Sequence, residues 1–363
     1  MTSHGLIVVL MLGIVPAAGA QWFAPEGELQ NEIMHGNIEK LEVILDNNPD
    51  LVSQKDSREI TPFVFTYLCR RYPNAPTMKI MKLLADRGAD VDAPTLGGAT
   101  VFRESALHSG LDEIELAKFL ITLGADVNAE DSDGFTALDI CSRGAESLES
   151  LGALGSLIRD NGGRTTLRGD FRAAIVTGNI DSATKLIEQH PELADTVYAS
   201  RQTPLHDAVT AGHTRIVELL LNNDFEINAQ DYRGMTPLFF AVLAARDANL
   251  VRFLIDHGAD PEVRDERGRT VLHWAGDRAV AKVLMTLGCD LDSKDRAGNT
   301  VLHSIIAYQL RSKRVNTELL EFLLSKGASL EETNDRGEAP LDIVRGQESA
   351  EAKKIVSFFA DNR

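Results

Sequence analysis

Residues 203–208 read Thr-Pro-Leu-His-Asp-Ala, and an apolar run, Ile-Val-Glu-Leu-Leu-Leu, follows at residues 216–221. The first part of this stretch recurs along the chain. Its threonine returns at Thr236, Thr270 and Thr300, at intervals of 33, 34 and 30 residues, and Leu-His returns at residues 272–273 and 302–303. A period near 33 residues predicts an array of stacked helical repeats.

The second part of the unit has apolar residues at helical spacing, as at residues 216–221, 250–255 and 319–324, which predicts a second helix in each unit. A glycine suited to ending a helix follows at Gly88, Gly124, Gly258 and Gly288. Asp-x-x-Gly then recurs, a turn pattern that predicts a projecting hairpin. The turns begin at Asp131, Asp231, Asp265 and Asp295.

These features together resemble the ankyrin repeat over about residues 27–361. The resemblance implies an all-α repeat fold, an ankyrin-repeat solenoid of helix-turn-helix units with projecting β-hairpin loops and about nine units including caps. Residues 29–45 and 340–359 look like terminal caps, which such an array needs at both ends. Extra residues near 71–77 and 311–316 predict lengthened connections between helices.

The beginning of the chain predicts export. An apolar run from Leu6 to Val15 is followed by Pro16 and by Ala18-Gly19-Ala20, which is typical of a signal peptide cleaved before Gln21. We interpret residues 1–20 as that signal peptide, 21–163 as an N-terminal repeat block and 164–363 as a C-terminal repeat block. The run is too short for a membrane span. Periplasmic or secreted localisation follows.

Net charge and the absence of catalytic motifs exclude several classes of function. The 363 residues carry a formal net charge of -17, which disfavours nucleic acid as a partner because that binding depends on phosphate neutralisation. We find no nucleophile elbow, phosphate loop, metalloprotease motif or dinucleotide fingerprint, so the sequence predicts a protein that is not an enzyme and takes no cofactor. An enzyme without a recognisable motif is the remaining alternative.

Histidines and cysteines predict no metal site and no disulfide. His206, His273 and His303 occupy one slot of successive units, about 8–10 Å apart, too far to share an ion. The resemblance implies that they bond neighbouring backbone. Cys141 and Cys289 fill small-residue positions of distant units and are expected to be buried.

Positions that the ankyrin family leaves free for binding carry arginine and aromatic residues, the types that dominate interface energies. The candidate partner-binding residues are Tyr232, Arg233, Met235, Phe240, Arg267, Arg269, Trp274, Arg296, Asn299 and Arg336. They predict a positive ridge that binds an acidic patch on a protein. The partner is expected to be a toxic enzyme that the chain inhibits, as an immunity protein does, or an envelope enzyme such as a catalase that it assists.

Overall fold

The computed structural model describes residues 26–70, 76–107, 111–142, 152–245, 247–345 and 347–361. It divides into two compact units, of which the first ends at Ala173 and the second begins at Ala174. The predicted signal peptide at residues 1–20 lies outside the described residues. The block boundary after residue 163 stays a prediction.

Pairs of short helices make up the first unit. They are α1 (Glu28–His35) and α2 (Ile38–Asn47), α3 (Pro62–Leu68) and α4 (Thr77–Asp86), α5 (Val101–Ser105) and α6 (Leu111–Thr122), and α7 (Ala137–Ser142) and α8 (Gly152–Asp160). A 3-10 turn at Pro49–Val52 follows α2, and α9 (Leu167–Thr177) crosses the division. In each pair the first helix packs against the second, and α3 and α7 also pack against the preceding first helices α1 and α5.

The second unit repeats this plan. Its helices are α10 (Ile180–Gln189), α11 (Pro204–Ala211), α12 (Thr214–Leu221), α13 (Pro237–Phe240), α14 (Ala248–Asp256), α15 (Arg278–Thr286), α16 (Val301–Ser312), α17 (Thr317–Ser325) and α18 (Ala350–Asp361). Short 3-10 helices lie at Pro191–Asp195, Val271–Trp274 and Pro340–Val344, and a π-helical turn at Ala241–Ala245 continues α13. In chain order the described helices form ten pairs, one more than the nine or so predicted.

The apolar pattern of the quoted stretch explains its packing. Leu205 and Val209 on α11 and Ile216, Val217 and Leu220 on α12 are all buried, so both helices direct one stripe into the core between them. Thr203 caps α11. The backbone N–H and the hydroxyl of Thr203 both lie within hydrogen-bond distance of Nδ1 of His206, at 3.1 and 3.0 Å. Threonine and histidine therefore fix where the first helix begins.

The projecting loops differ from the predicted β-hairpins. Over the described ranges, the single isolated β-bridge joins Lys294 and Thr300, and no ladder of paired strands forms. Most loops are instead tight turns that end at a glycine with positive φ, such as Gly298 at 72° and Gly337 at 74°. In two equivalent turns Glu59 (63°) and Arg201 (59°) hold this position. An L-residue with a side chain is strained in that conformation, which accounts for the glycine.

Candidate functional site

Four projecting loops of the second unit are each organised by one acidic or amide side chain, at Asp231, Asp265, Asp295 or Asn334. Oδ1 of Asp265 accepts hydrogen bonds from the backbone N–H groups of Arg267 (2.8 Å) and Arg269 (3.0 Å). Equivalent pairs of bonds reach Oδ1 of Asp231, Asp295 and Asn334. The Asp-x-x-Gly pattern therefore determines the backbone of the turn and places an arginine at or beside each tip.

Backbone hydrogen bonds join each tip to the next. The N–H of Glu266 donates to the carbonyl of Arg233 (2.7 Å), and the N–H of Arg296 donates to the carbonyl of Arg267 (2.8 Å). The N–H of Asp335 donates to the carbonyl of Ala297 (3.1 Å). Successive tips therefore lie side by side along one edge of the second unit. The exposed arginines of this edge form what we call the tip ridge, namely Arg233, Arg267, Arg296 and Arg336.

Tyr232 contributes to one end of the tip ridge. Its backbone N–H donates to the carbonyl of Ser200 (3.1 Å), and its phenol oxygen accepts a hydrogen bond from Nε of Arg233 (2.7 Å). The Arg233 guanidinium carbon is 5.1 Å from the centroid of the tyrosine ring. The exposed arginine and the half-buried ring thus present one combined surface.

Trp274 and Arg269 form a second combined surface beside the tip ridge. Nε1 of Trp274 donates to Oδ2 of the buried Asp265 (3.2 Å), and Nε of Arg269 donates to the same oxygen (2.9 Å). Burial lowers the pKa of the Arg269 guanidinium, the bond to Asp265 opposes that effect, and the positive charges of Arg267 and Arg311 add to it. Arg269 is thus half-buried and paired with Asp265, and the charges of Arg267 and Arg311 act on it.

Three predicted site residues have structural roles. Met235 is 5% exposed, so its side chain is unavailable to a partner, and including it in the binding surface was wrong. Its burial follows from its position just before Thr236, where the chain turns into the core at the start of α13. Phe240 is half-buried and packs edge-on against His206, with ring centroids 5.2 Å apart. Asn299 bonds Oδ2 of Asp295 (3.0 Å) and accepts a bond from Asn334 (2.9 Å), which fixes adjacent turns.

The repeated histidines bond backbone, as the family resemblance implied. Nε2 of His206 donates to the carbonyl of Met235 (3.2 Å), and Nε2 of His303 donates to that of Glu338 (2.9 Å). Burial lowers the pKa of His206 and lowers that of His273 to about 4. The imidazoles of His206 and His303 thus each link their own unit to the next one.

All three cysteines are free thiols. Cys69 and Cys289 are buried, whereas Cys141 is only half-buried, so the expectation of full burial was wrong for Cys141. Burial raises the pKa of Cys69 and of Cys289 to about 12 and that of Cys141 to about 11. Among the described residues, no group of three or more His, Cys, Asp or Glu side chains could hold a metal ion.

Sequence reasoning missed further exposed cations near Arg269. Arg311, Lys313 and Arg314 are exposed at the end of α16 and directly after it. The extra residues at 311–316 were interpreted as a lengthened loop, but α16 continues through Ser312 before the loop begins. The signal that could have identified them is the cluster of three cations within this insertion.

Comparisons with known proteins agree with the stacked helix pairs and projecting turns. A family model for ankyrin repeats (3 copies) matches residues 171–265 and 242–334. Residues 171–334 of the chain belong to the ankyrin-repeat family. The chain is 27% identical over 182 residues to the ankyrin repeat protein YahD of Escherichia coli K12, covering 48% of this chain and 89% of that protein.

Eukaryotic relatives match over smaller shares of their own length. The chain is 34% identical over 168 residues to the neurogenic locus notch homolog protein 1 of Xenopus laevis, covering 41% of this chain and 6% of that protein. It is 31% identical over 194 residues to the human transient receptor potential cation channel subfamily A member 1, covering 51% of this chain and 17% of the channel. Ankyrin repeats are interaction scaffolds, and this chain is therefore a scaffold for protein partners. No helix within the described ranges is long and apolar enough to cross a membrane.

Proposed function

We propose that this chain is an exported scaffold whose tip ridge binds an acidic patch on a toxic enzyme and blocks that enzyme, as an immunity protein does. One observation supports the proposal most directly. Three consecutive turns, hydrogen-bonded to one another, place Arg233, Arg267 and Arg296 on one edge, beside the half-exposed Trp274. Arginine and aromatic side chains give interfaces much of their energy. The hydrogen-bonded backbone of these turns also reduces the ordering that binding requires.

The dimensions of the tip ridge fit inhibition of an enzyme. Helices pack about 8–10 Å apart, so four successive tips extend over roughly 24–30 Å. That length exceeds the mouth of a small-molecule pocket and is sufficient to cover an active-site cleft together with its rim. Positive charge on the tip ridge also accelerates association with an acidic enzyme, which suits a protein that must neutralise a toxin quickly.

Export places the scaffold and its partner in one compartment. The proposed signal peptide at residues 1–20 directs the chain to the periplasm, with secretion as the alternative destination. Mass spectrometry of the native protein should find Gln21, or a residue within a few positions of it, at the amino terminus. An intact Met1 on soluble cytosolic protein would contradict export and leave the scaffold role in place.

The partner is tested by capture from the cell envelope. The full chain with its own leader is expressed, cross-linked and purified, and the stoichiometric partner is assayed for activity with and without the chain. Loss of partner activity supports inhibition, and a gain supports the accessory role instead. The triple variant Arg233→Ala, Arg267→Ala, Arg296→Ala should lose the partner.

A matched control removes three exposed cations from second helices of the same unit, namely Arg215, Arg252 and Lys282. The control variant lowers the net charge by the same amount and should keep the partner. Equal loss in both variants would mean that total charge, and not the tip ridge, determines binding.

A further inference from the structure

The first helices of the last three units differ in length. The eighth pair begins with a single 3-10 turn at Val271–Trp274, whereas α16 of the ninth pair has 12 residues. The tenth pair again begins with a short 3-10 helix, Pro340–Val344, and α16 packs against both short helices. The last turns of α16 therefore extend beyond the helices on either side.

A cavity of about 140 Å³ lies against these last turns. The shortened helix leaves room for it, because the chain turns away at Ala275 toward α15 instead of continuing as a helix. Its lining includes Gly276, Tyr308, Ser312, Arg314 and Asn316. We call this cavity the notch.

The notch is held in shape by hydrogen bonds of Gln309 and Asn316. Gln309 is 3% exposed, its Nε2 donates to the carbonyl of Asn316 (3.3 Å), and its Oε1 accepts from the backbone N–H of Asn316 (3.2 Å). Nδ2 of Asn316 donates across the notch to the carbonyl of Gly276 (3.3 Å). The loop that returns from α16 is thus tied to both walls and needs no rearrangement to receive a ligand.

Positive charge lies on the side of the notch formed by the end of α16 and the loop after it. Arg314 lines it, and Arg311 and Lys313 are exposed beside it. Arg311 is also close enough to Arg269 for the two positive charges to interact, which connects the notch to the surface of Arg269 and Trp274. The nearby carboxylate of Asp277 accepts the N–H of Val280 (2.9 Å) at the start of α15. An incoming negative charge therefore meets cations on the rim.

We propose that the notch binds an acidic segment of the same protein partner, which continues past Trp274 from the tip ridge. This inference rests on the proposed function, since it extends that interface and specifies its chemistry. Carboxylates match the guanidinium groups of Arg311 and Arg314 through paired hydrogen bonds. A protein segment is favoured over a nucleic acid because the chain as a whole carries a net charge of -17, which repels a long polyanion.

The test uses a fluorescein-labelled peptide of ten glutamates and the full chain, followed by fluorescence anisotropy at low salt. Arg311→Glu with Arg314→Glu should weaken peptide binding at least tenfold, because reversal turns attraction into repulsion at the rim. The matched reversal Arg215→Glu with Arg252→Glu, on second helices of earlier pairs whose residues do not line the notch, should change it less than twofold. Thermal melts check that both variants fold like the parent.

Three outcomes would overturn the inference. If the notch variant binds like the parent while Arg233→Glu with Arg296→Glu loses the peptide, the tip ridge alone binds acidic segments and the notch is not a binding site. If the parent does not bind the peptide, the acidic partner of the proposed function fails as well. If a ten-nucleotide thymidine oligomer binds as tightly as the peptide and competes with it, the surface does not select a protein segment.

Discussion

The guanidinium carbon of Arg269 lies 3.9 Å from the centroid of the Trp274 ring, and both side chains hydrogen-bond the same oxygen of Asp265. Because Asp265 also fixes the turn through its other oxygen, the tip and the aromatic surface form one rigid group. Reversing the charge of Arg269 would place a second carboxylate against a buried one, so the variant would lose stability as well as binding. Arg267 and Arg296, which are exposed, are the better positions for testing charge.

Truncation of Trp274 should weaken partner binding. We expect Trp274→Ala to cost about 2–4 kcal/mol of binding free energy, as loss of an ordered aromatic anchor does. Surface plasmon resonance with the captured partner measures this, and most of the change should appear in the dissociation rate. Val197→Ala is the control, since Val197 is an exposed apolar residue of the same unit. Equal affinities for the parent and Trp274→Ala would place the interface elsewhere.

The sequence was sufficient to predict the repeat and the positions of the turns, because Thr-Pro-Leu-His and Asp-x-x-Gly encode local caps and hydrogen bonds. It did not predict that Met235 is buried or that Arg269 bonds Asp265, because these depend on how a side chain is directed in three dimensions. The notch beside Arg314 was missed for a similar reason. It arises from the difference in length between two neighbouring helices, and only their packing shows it.

Charge reversal on the tip ridge should slow association. Arg267→Glu with Arg296→Glu is expected to lower the association rate about tenfold at low ionic strength, because long-range attraction to an acidic patch is lost. The difference from the parent should shrink as salt is added and screening increases. Stopped-flow or plasmon resonance at several salt concentrations tests this. A difference that does not depend on salt would contradict electrostatic steering.

Two glycines at equivalent tips should respond differently to alanine. Gly298 and Gly337 have φ of 72° and 74°, so alanine at either position should introduce the same backbone strain, about 1–2 kcal/mol. A Cβ at Gly298 would also lie 2.8 Å from the backbone nitrogen of Asp335, whereas one at Gly337 meets nothing within 4 Å. Urea unfolding should therefore show Gly298→Ala to be the less stable variant by a further 1 kcal/mol or so. If both variants lose the same unfolding free energy, the tip at Asp335 can move away from the added Cβ without destabilising the protein.

The buried thiols of Cys69 and Cys289 should be unreactive in the folded protein. Burial raises the pKa of Cys69 and of Cys289 to about 12, so at pH 8 roughly one thiol in 10⁴ is the reactive thiolate. An aromatic disulfide reagent should label neither one until denaturant is added, and thermal melts should not change with reductant or chelator. Rapid labelling, or a large shift of the melting temperature with either agent, would show a reactive thiol, a bridge or a metal.

Acid should destabilise the fold through His273. Its pKa is about 4 when folded and 6.5 by reference when exposed, so between these values the unfolded chain binds more protons than the native one. The stability due to the neutral imidazole is complete above pH 6.5 and is lost progressively as the pH falls toward 4. At pH 5 the loss should be about 2 kcal/mol relative to pH 7.5.

His273→Asn isolates this effect, because an amide oxygen can still accept the N–H of Thr270 that Nδ1 of His273 now accepts at 3.2 Å. Urea unfolding of the parent and the variant at pH 7.5 and pH 5 shows how much unfolding free energy each protein loses between the two pH values. The parent should lose more stability than the variant over this interval, since other titrating groups act equally on both. If the two lose the same amount, the imidazole of His273 takes up no proton on unfolding and its burial is not the source of acid sensitivity.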